Sequence, residues 1–335
     1  MSSKPLSLTE GFAAPDLAAW EKAASKTAPD ARFDALIRRS LDGIEIGPLY
    51  GAWNAGATPS ARKGVAKDPT RPWDLRNAVF ACDPGEANRA SLTALAEGAA
   101  SILLPVEAAG IRAADDMAAA LGGVPLELAT VALDAGACAV EAANWLAVVA
   151  KGSPQAKLAF HLDPVSLIAR EGPDLFDSAV QTAMRHEGAY PNVELFLGSG
   201  RFVHEAGGTE AQELAAMLAS AVAYARALTV DNMMFISLAK TRAARALWAQ
   251  VCAASGVSVP ARIEARSSRR MLSAADPWTN LLRLTAAGFG AGAGGADAVV
   301  LDPFDVTAET LTPLALRQAR NIQLILMEEA HLGRV

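Results

Sequence analysis

From residue 76 onward the chain alternates between short apolar runs and longer stretches with helical periodicity. The apolar runs lie at 76–82, 101–105, 126–133, 157–162, 193–199, 262–268 and 298–302, each of strand length, with a weaker eighth at 229–234. Helical patterns fill 85–100, 137–150, 209–228, 235–254, 276–288 and 311–331. Within 235–254, Ile236, Ala239, Ala243, Leu247 and Val251 share one face, and Lys240, Arg242 and Arg245 lie off it. Within 311–331, Ala315, Ala319, Ile322 and Leu326 form the apolar stripe, with Arg317, Arg320 and Glu328 off it. Repeated βα units with short connections give parallel strands, and eight of them close a barrel. The pattern predicts an α/β protein with a (β/α)8 TIM-type barrel over 73–335. A doubly wound open sheet is the alternative.

The first 72 residues read differently. Short helices are predicted at 16–25 and 30–39, followed by a loop rich in glycine and proline over 42–72. This is a helical and extended N-terminal extension to the barrel. Long structured extensions of this kind pack on another surface, so residues 1–72 are predicted to wrap a subunit interface. Trp20, Tyr50 and Trp53 are its candidate anchors.

Composition narrows the classes. With 335 residues, 52% of them hydrophobic, the chain has room for a barrel plus the extension. A net charge of −6 excludes a general nucleic-acid surface but leaves room for a local basic pocket. Mean hydropathy is +0.21, yet no uninterrupted apolar run reaches the ~18 residues of a membrane span. Cys82, Cys138 and Cys252 are scattered, with no CxxC pair, as in a cytoplasmic protein with reduced thiols.

Candidate chemistry is sparse. The run GFGAGAGGAD at 288–297 follows a helix and precedes a strand, the reverse of a dinucleotide fingerprint. It predicts a flexible helix-to-strand turn. His161 ends a strand two residues before Asp163. Asp163, Asp302 and Asp305 sit at or just past strand ends, on the face where barrels carry their active sites or cap the next helix. Arg266, Arg269 and Arg270 crowd the end of the seventh run, where they suit phosphate or a subunit contact. His204 adjoins Glu205, but no ligand type stands at metal spacing, so no metal site is expected. No nucleophile–base arrangement is visible.

Seven segments, in this order, resemble the barrel domain of methylmalonyl-CoA mutases: DGIEIGPLY at 42–50, RPWDLR at 71–76, EAG at 205–207, KTRAARALWA at 240–249, DPWTNLLR at 276–283, FGAGAGGAD at 289–297 and ARNIQLILMEE at 319–329. The resemblance implies a complex that interconverts methylmalonyl-CoA and succinyl-CoA with adenosylcobalamin by a radical mechanism. In such complexes the barrel threads the CoA tail through its centre, and the corrin sits between barrel and cobalamin domain. Catalytic chains carry a tyrosine two residues after the arginine that matches Arg76; here that position is Ala78. Their Tyr-His pair before EAG matches Arg201 and Phe202, and their His-x-Gln near the seventh strand is placed at Ala265 and Ser267. These residues cannot supply the phenol and imidazole hydrogen bonds to a substrate carbonyl.

The forms DGIEIGPLY and DPWTNLLR resemble the family's small subunit. The resemblance therefore implies a non-catalytic, structural chain paired with a catalytic large subunit, the isomerase activity residing in the complex. Arg71 and Arg76 remain candidates for contacting an acyl-CoA phosphate, and no catalytic residue is assigned. The sequence ends at Val335 without an Asp-x-His-x-x-Gly motif, so a cobalamin-binding domain is expected to be absent and no cofactor is expected on this chain alone. Two alternatives stand beside this: an acyl-CoA-binding chain that contributes to catalysis when assembled, and a small-molecule-binding barrel unrelated to the mutase. The apolar strands AFHL, LFLGS and ILLP suggest a barrel centre plugged by bulky side chains.

Overall fold

A computed structural model describes residues 16–50, 70–224, 228–230, 234–256, 260–308 and 310–334. The chain divides into two units, Met1–Thr58 and Pro59–Val335. Trp53 and part of the weak run at 229–234 lie outside the described residues.

In the first unit, helix α1 (Leu17–Thr27) starts where the Asp16 carboxylate accepts from Ala18 N–H at 3.0 Å. The helix expected over 30–39 does not form. Asp30 and Ala31 have φ of 55° and 52°, in the left-handed region, which stops an α-helix propagating from Pro29. Two 3-10 turns, Pro29–Ala31 and Phe33–Leu36, replace it. Strand β1 (Arg38–Arg39) then pairs antiparallel with β2 (Glu45–Ile46). Trp20 packs edge-on against Phe33, with ring centres 5.9 Å apart. Leu41, Ile44 and Tyr50 are exposed.

The second unit carries eight parallel strands: β3 (Asp74–Ala78), β4 (Ser101–Pro105), β5 (Thr130–Asp134), β6 (Lys157–Leu162), β7 (Asn192–Phe196), β8 (Leu228–Val230), β9 (Glu264–Ser267) and β10 (Ala298–Val300). Their spatial order is β7-β6-β5-β4-β3-β10-β9-β8. The last strand therefore pairs with the first, the order of a (β/α)8 barrel, with the seam between β7 and β8. An open doubly wound sheet would place the first and last strands apart.

Aspartate or threonine followed by proline begins several of the helices. Asp83 accepts from Glu86 N–H at 2.7 Å and starts α2 (Pro84–Ala96). Helix α3 (Ala114–Leu121), which the apolar pattern did not single out, follows β4; α4 (Ala139–Val149) follows β5. Asp163 accepts from Ser166 N–H at 3.2 Å and starts α5 (Pro164–Ala169), ahead of α6 (Phe176–His186). Short α7 (Arg201–Glu205) precedes α8 (Glu210–Ala223), and α9 (Met234–Ala254) follows β8. Asp276 caps α10 (Pro277–Gly294), and Thr312 caps α11 (Pro313–Leu324), which continues as a π turn over Ile325–Glu329. Proline fits the first helical position because its missing N–H has no partner there anyway.

Three expectations change. The glycine-rich run is not a turn: it is the buried second half of α10, which ends only at Gly295 with φ 89°. Its glycines allow close approach of neighbours. A Cβ on Gly292 would fall 2.8 Å from the Trp73 ring, and one on Gly294 2.8 Å from the Thr241 side chain. The buried face of α9 holds Ser237, Lys240, Thr241 and Ala244, while Ala239 is exposed. Lys240 is inside because Glu210 and Glu213 neutralise it. Arg320, expected at the surface of α11, is buried and paired with Glu97.

Gly292→Ala is expected to lower unfolding free energy by about 1–3 kcal/mol through overpacking against Trp73. Gly188→Ala, with no atom within 4 Å of the new Cβ, serves as the control and should leave the urea midpoint nearly unchanged.

Candidate functional site

Strand alternation sorts the barrel's side chains into two faces. Ile102, Leu104, Val131, Leu133, Phe160 and Leu162 point outward and pack with helix residues such as Met117 and Leu146. Ala78, Leu103, Ala132, Ala159 and Val300 form a small apolar layer inside. Phe160 and Leu162 of AFHL and Ile102 and Leu104 of ILLP therefore pack under the helices, and Leu103 is the bulky apolar group of these two runs that faces the centre.

Charge fills the centre instead. Among the described residues Arg76 is the largest fully buried side chain, 1% exposed. Its Nε donates to Ser101 Oγ at 3.0 Å, one Nη donates to Asp74 at 3.1 Å, and the other donates to Glu264 Oε2. Glu264 Oε1 accepts from Arg266 Nε at 2.6 Å, and Arg266 reaches Asp134 at 3.1 Å. Ser101 Oγ–H donates to Asp74 at 2.7 Å. The chain Asp74–Arg76–Glu264–Arg266–Asp134 thus bridges the strands β3, β5 and β9 across the interior. Burial opposes ionisation of Glu264, but Arg266 and Arg76 outweigh it and hold its carboxyl far below the usual range.

His161 joins this network from β6. Its φ of 50° accompanies a register irregularity between Ala159 and Leu162. The ring Nδ1 lies 3.1 Å from Leu133 O, and Nε2 lies 3.9 Å from Glu264. Burial pushes the imidazole down to about 4; Glu264 and Asp134 resist this, while Arg76 and Arg266 add to it.

The C-terminal mouth holds a cavity of about 650 Å³. Arg201, Arg266 and Arg269 line it together with Asp134, Asp302 and apolar groups including Ala78 and Leu103. Asp302 and Ser267 bond reciprocally, and Asp305 accepts from Thr312 N–H at 2.8 Å. Arg270 donates to the carbonyls of His204 and Gly208, a local structural role.

The sequence-derived site residues do not converge. Arg71 ties the barrel's outside together, donating to Gly98 O at 3.2 Å and pairing with Glu328 at 3.3 Å. Arg76 lies inside, bonded to Ser101, Asp74 and Glu264. Of the positions Ala265 and Ser267, Ala265 packs outward with Leu75, Leu284 and Val299, while Ser267 lines the mouth cavity and bonds Asp302. The inward pair on β9 is Glu264 and Arg266, which the period-two rule selects. His204, fully buried, lies 3.0 Å from Ser268 Oγ and 2.8 Å from Glu213. His204, Glu210 and Glu213 could together reach one ion, but the Lys240 ammonium already bonds both glutamates and occupies the cation position.

Acid should weaken this barrel. An unfolded histidine protonates near 6.5, whereas His161 stays neutral until about pH 4. Its contribution is therefore complete above 6.5 and declines as the pH falls from there towards 4. Glu264, depressed by its arginines, loses its contribution as pH falls through the ordinary carboxylate range, in the same direction. Urea unfolding should show roughly 2 kcal/mol less stability at about pH 5 than at about pH 7.5. His161→Asn, compatible with the left-handed backbone, should flatten that profile.

The methylmalonyl-CoA mutase family model matches residues 52–335. The methylmalonyl-CoA mutase small subunit of Streptomyces virginiae is 37% identical over 90% of this chain and 54% of its own length. The probable methylmalonyl-CoA mutase small subunit of Mycobacterium tuberculosis is 37% identical over 90% of this chain and 55% of its own. The small subunit of Propionibacterium freudenreichii subsp. shermanii is 29% identical over 90% of this chain and 52% of its own. The chain spans about half the length of the curated relatives it matches. With a barrel of eight parallel strands and this match over most of its length, the chain belongs to the methylmalonyl-CoA mutase family.

Proposed function

We propose that this chain is a non-catalytic, structural partner in a cytoplasmic methylmalonyl-CoA mutase complex, paired with a catalytic large subunit. One observation carries the reading: Arg76, Glu264, Arg266 and Asp134 span the barrel centre that a catalytic chain leaves open to CoA. Threading a CoA tail through this barrel requires breaking paired charges that are almost fully buried. Separating one such pair costs about 3–5 kcal/mol. Ala78, Arg201 and Phe202, where catalytic chains carry tyrosine, tyrosine and histidine, agree with it. Arg71 and Arg76 serve this reading as ion-pair residues of the scaffold. The relatives named small subunits support the partner role.

The family's chemistry uses adenosylcobalamin, which supplies the radical when bound. The described residues of this chain do not fit as its holder. His161 and His204 are buried with partners, and His186 bonds Asn144 at 3.0 Å. His331 lies beyond α11, at the opposite end of the barrel from the mouth. No step of the rearrangement is assigned to these side chains.

The N-terminal segment 1–72 is proposed as the contact with the large subunit. Leu41, Ile44 and Tyr50 stand exposed on its described part, a form suited to burial by a partner.

A mutase assay with adenosylcobalamin, run on this chain alone and on a coexpressed complex with a large subunit, tests the proposal. No turnover alone, with copurification and activity in the complex, is the expected result. Turnover by the chain alone would refute it. Leu41→Asp with Ile44→Asp should abolish copurification while leaving the barrel's own unfolding midpoint unchanged.

A further inference from the structure

The cavity at the barrel mouth has a feature that the structural role leaves unused. Arg201 stands between it and a smaller neighbouring cavity of about 110 Å³, lining both. Among the described residues the carboxylate within 4 Å of its guanidinium is Glu205, 3.7 Å from Nε and beyond hydrogen-bond reach, while Asp302 and Asp134 act on it only from further away. Glu205 Oε1 already accepts from the backbone N–H of Arg269 at 3.1 Å. Among the described residues the Arg201 guanidinium donates no hydrogen bond, although its side chain is only 24% exposed. Burial and the neighbouring Arg266 both lower its affinity for the proton.

The other two arginines also have donors to spare. Arg266 uses Nε on Glu264 and Nη1 on Asp134, which leaves Nη2 without an acceptor among the described residues. Arg269 reaches Asp302 only at 3.4 Å, and Asp302 Oδ2 is already engaged with Ser267. Guanidinium groups that share a cavity with unspent donors match an oxyanion in geometry and charge. The rest of the lining is short and apolar: Ala78, Leu103, Pro105, Val300 and Leu316.

We propose that the barrel mouth binds a small amphipathic carboxylate, its head group on Arg201 with Arg266 and Arg269, its short hydrocarbon body against Ala78, Leu103 and Val300. The site does not depend on the mutase reading, because it needs no CoA passage and no partner. The charge network beneath it closes the cavity off from the barrel's other end, so the ligand enters and leaves by the mouth. Asp134 and Asp302, which line the same cavity, disfavour a doubly charged phosphate and favour a single carboxylate.

Titration calorimetry on the full chain tests this, with butyrate and pentanoate as probes and acetate, inorganic phosphate and chloride as comparisons. One saturable site for butyrate and pentanoate, with acetate weaker for want of an apolar body, is the expected result. Arg201→Gln should weaken it at least tenfold, the loss of one charge-assisted contact, and Arg201→Lys should recover part of the affinity. Arg317→Gln, on the exposed face of α11, should leave binding unchanged. Circular dichroism and urea midpoints establish that each variant is folded. The proposal is overturned by absence of saturable carboxylate binding, by phosphate binding in preference to butyrate, or by full affinity in folded Arg201→Gln. Failure of the large-subunit copurification would leave these binding results standing, so the two readings fail separately.

Discussion

Glu264 is the group on which the barrel's interior depends. Its two oxygens accept from two different arginines, Arg76 on β3 and Arg266 on its own strand β9. Without Glu264, Arg76 would keep only Asp74 and Arg266 only Asp134, and the interior would hold a buried charge with too few partners. Glu264 therefore links β3 to β9, and Arg266 extends the link to β5 through Asp134. The position of His161, neutral and fixed to Leu133 O, follows from the same charges. The small apolar layer of Ala78, Leu103, Ala132, Ala159 and Val300 packs within this interior.

Two other packing devices hold the shell around this interior. Proline after an aspartate or threonine cap fixes where α2, α5, α10 and α11 begin. The glycines of α10 let that helix approach Trp73 and α9 more closely than any side chain would allow. Trp73 in turn donates its indole N–H to Gln323 of α11 at 3.0 Å. The same glycine run that looks like a loop in the sequence is therefore the tightest helix contact of this side of the barrel.

The barrel was legible in the sequence because its outward strand faces are continuous apolar runs. Runs 101–105 and 157–162 match their strands at both ends. The interior was not legible, for a physical reason. Polar groups in alternating strands are ordinarily read as solvent-facing, so Asp74 and Arg76, or Glu264 and Arg266, look like surface residues. Here the same period-two alternation turns them inward, where they neutralise one another across strands remote in sequence. Glu264 faces inward and its neighbour Ala265 outward, so one residue along β9 reverses the face. Lys240 on α9 illustrates the same limit, since its partners Glu210 and Glu213 belong to another helix. At the mouth, the spare donors of Arg201 could be recognised only once Glu205 was seen to be engaged elsewhere.

Paired charges, rather than an open passage, occupy the barrel axis. Equilibrium binding of acetyl-CoA, an acyl-CoA without a free carboxylate, to the isolated chain tests it most directly. No saturable binding is expected at millimolar ligand, and none gained in a Glu86→Gln control at the cavity rim. Stoichiometric binding at micromolar concentration, with protection of Arg76 and Arg266 backbone amides from exchange, would mean that the network opens to admit the CoA tail and that the axis is not closed by its charges.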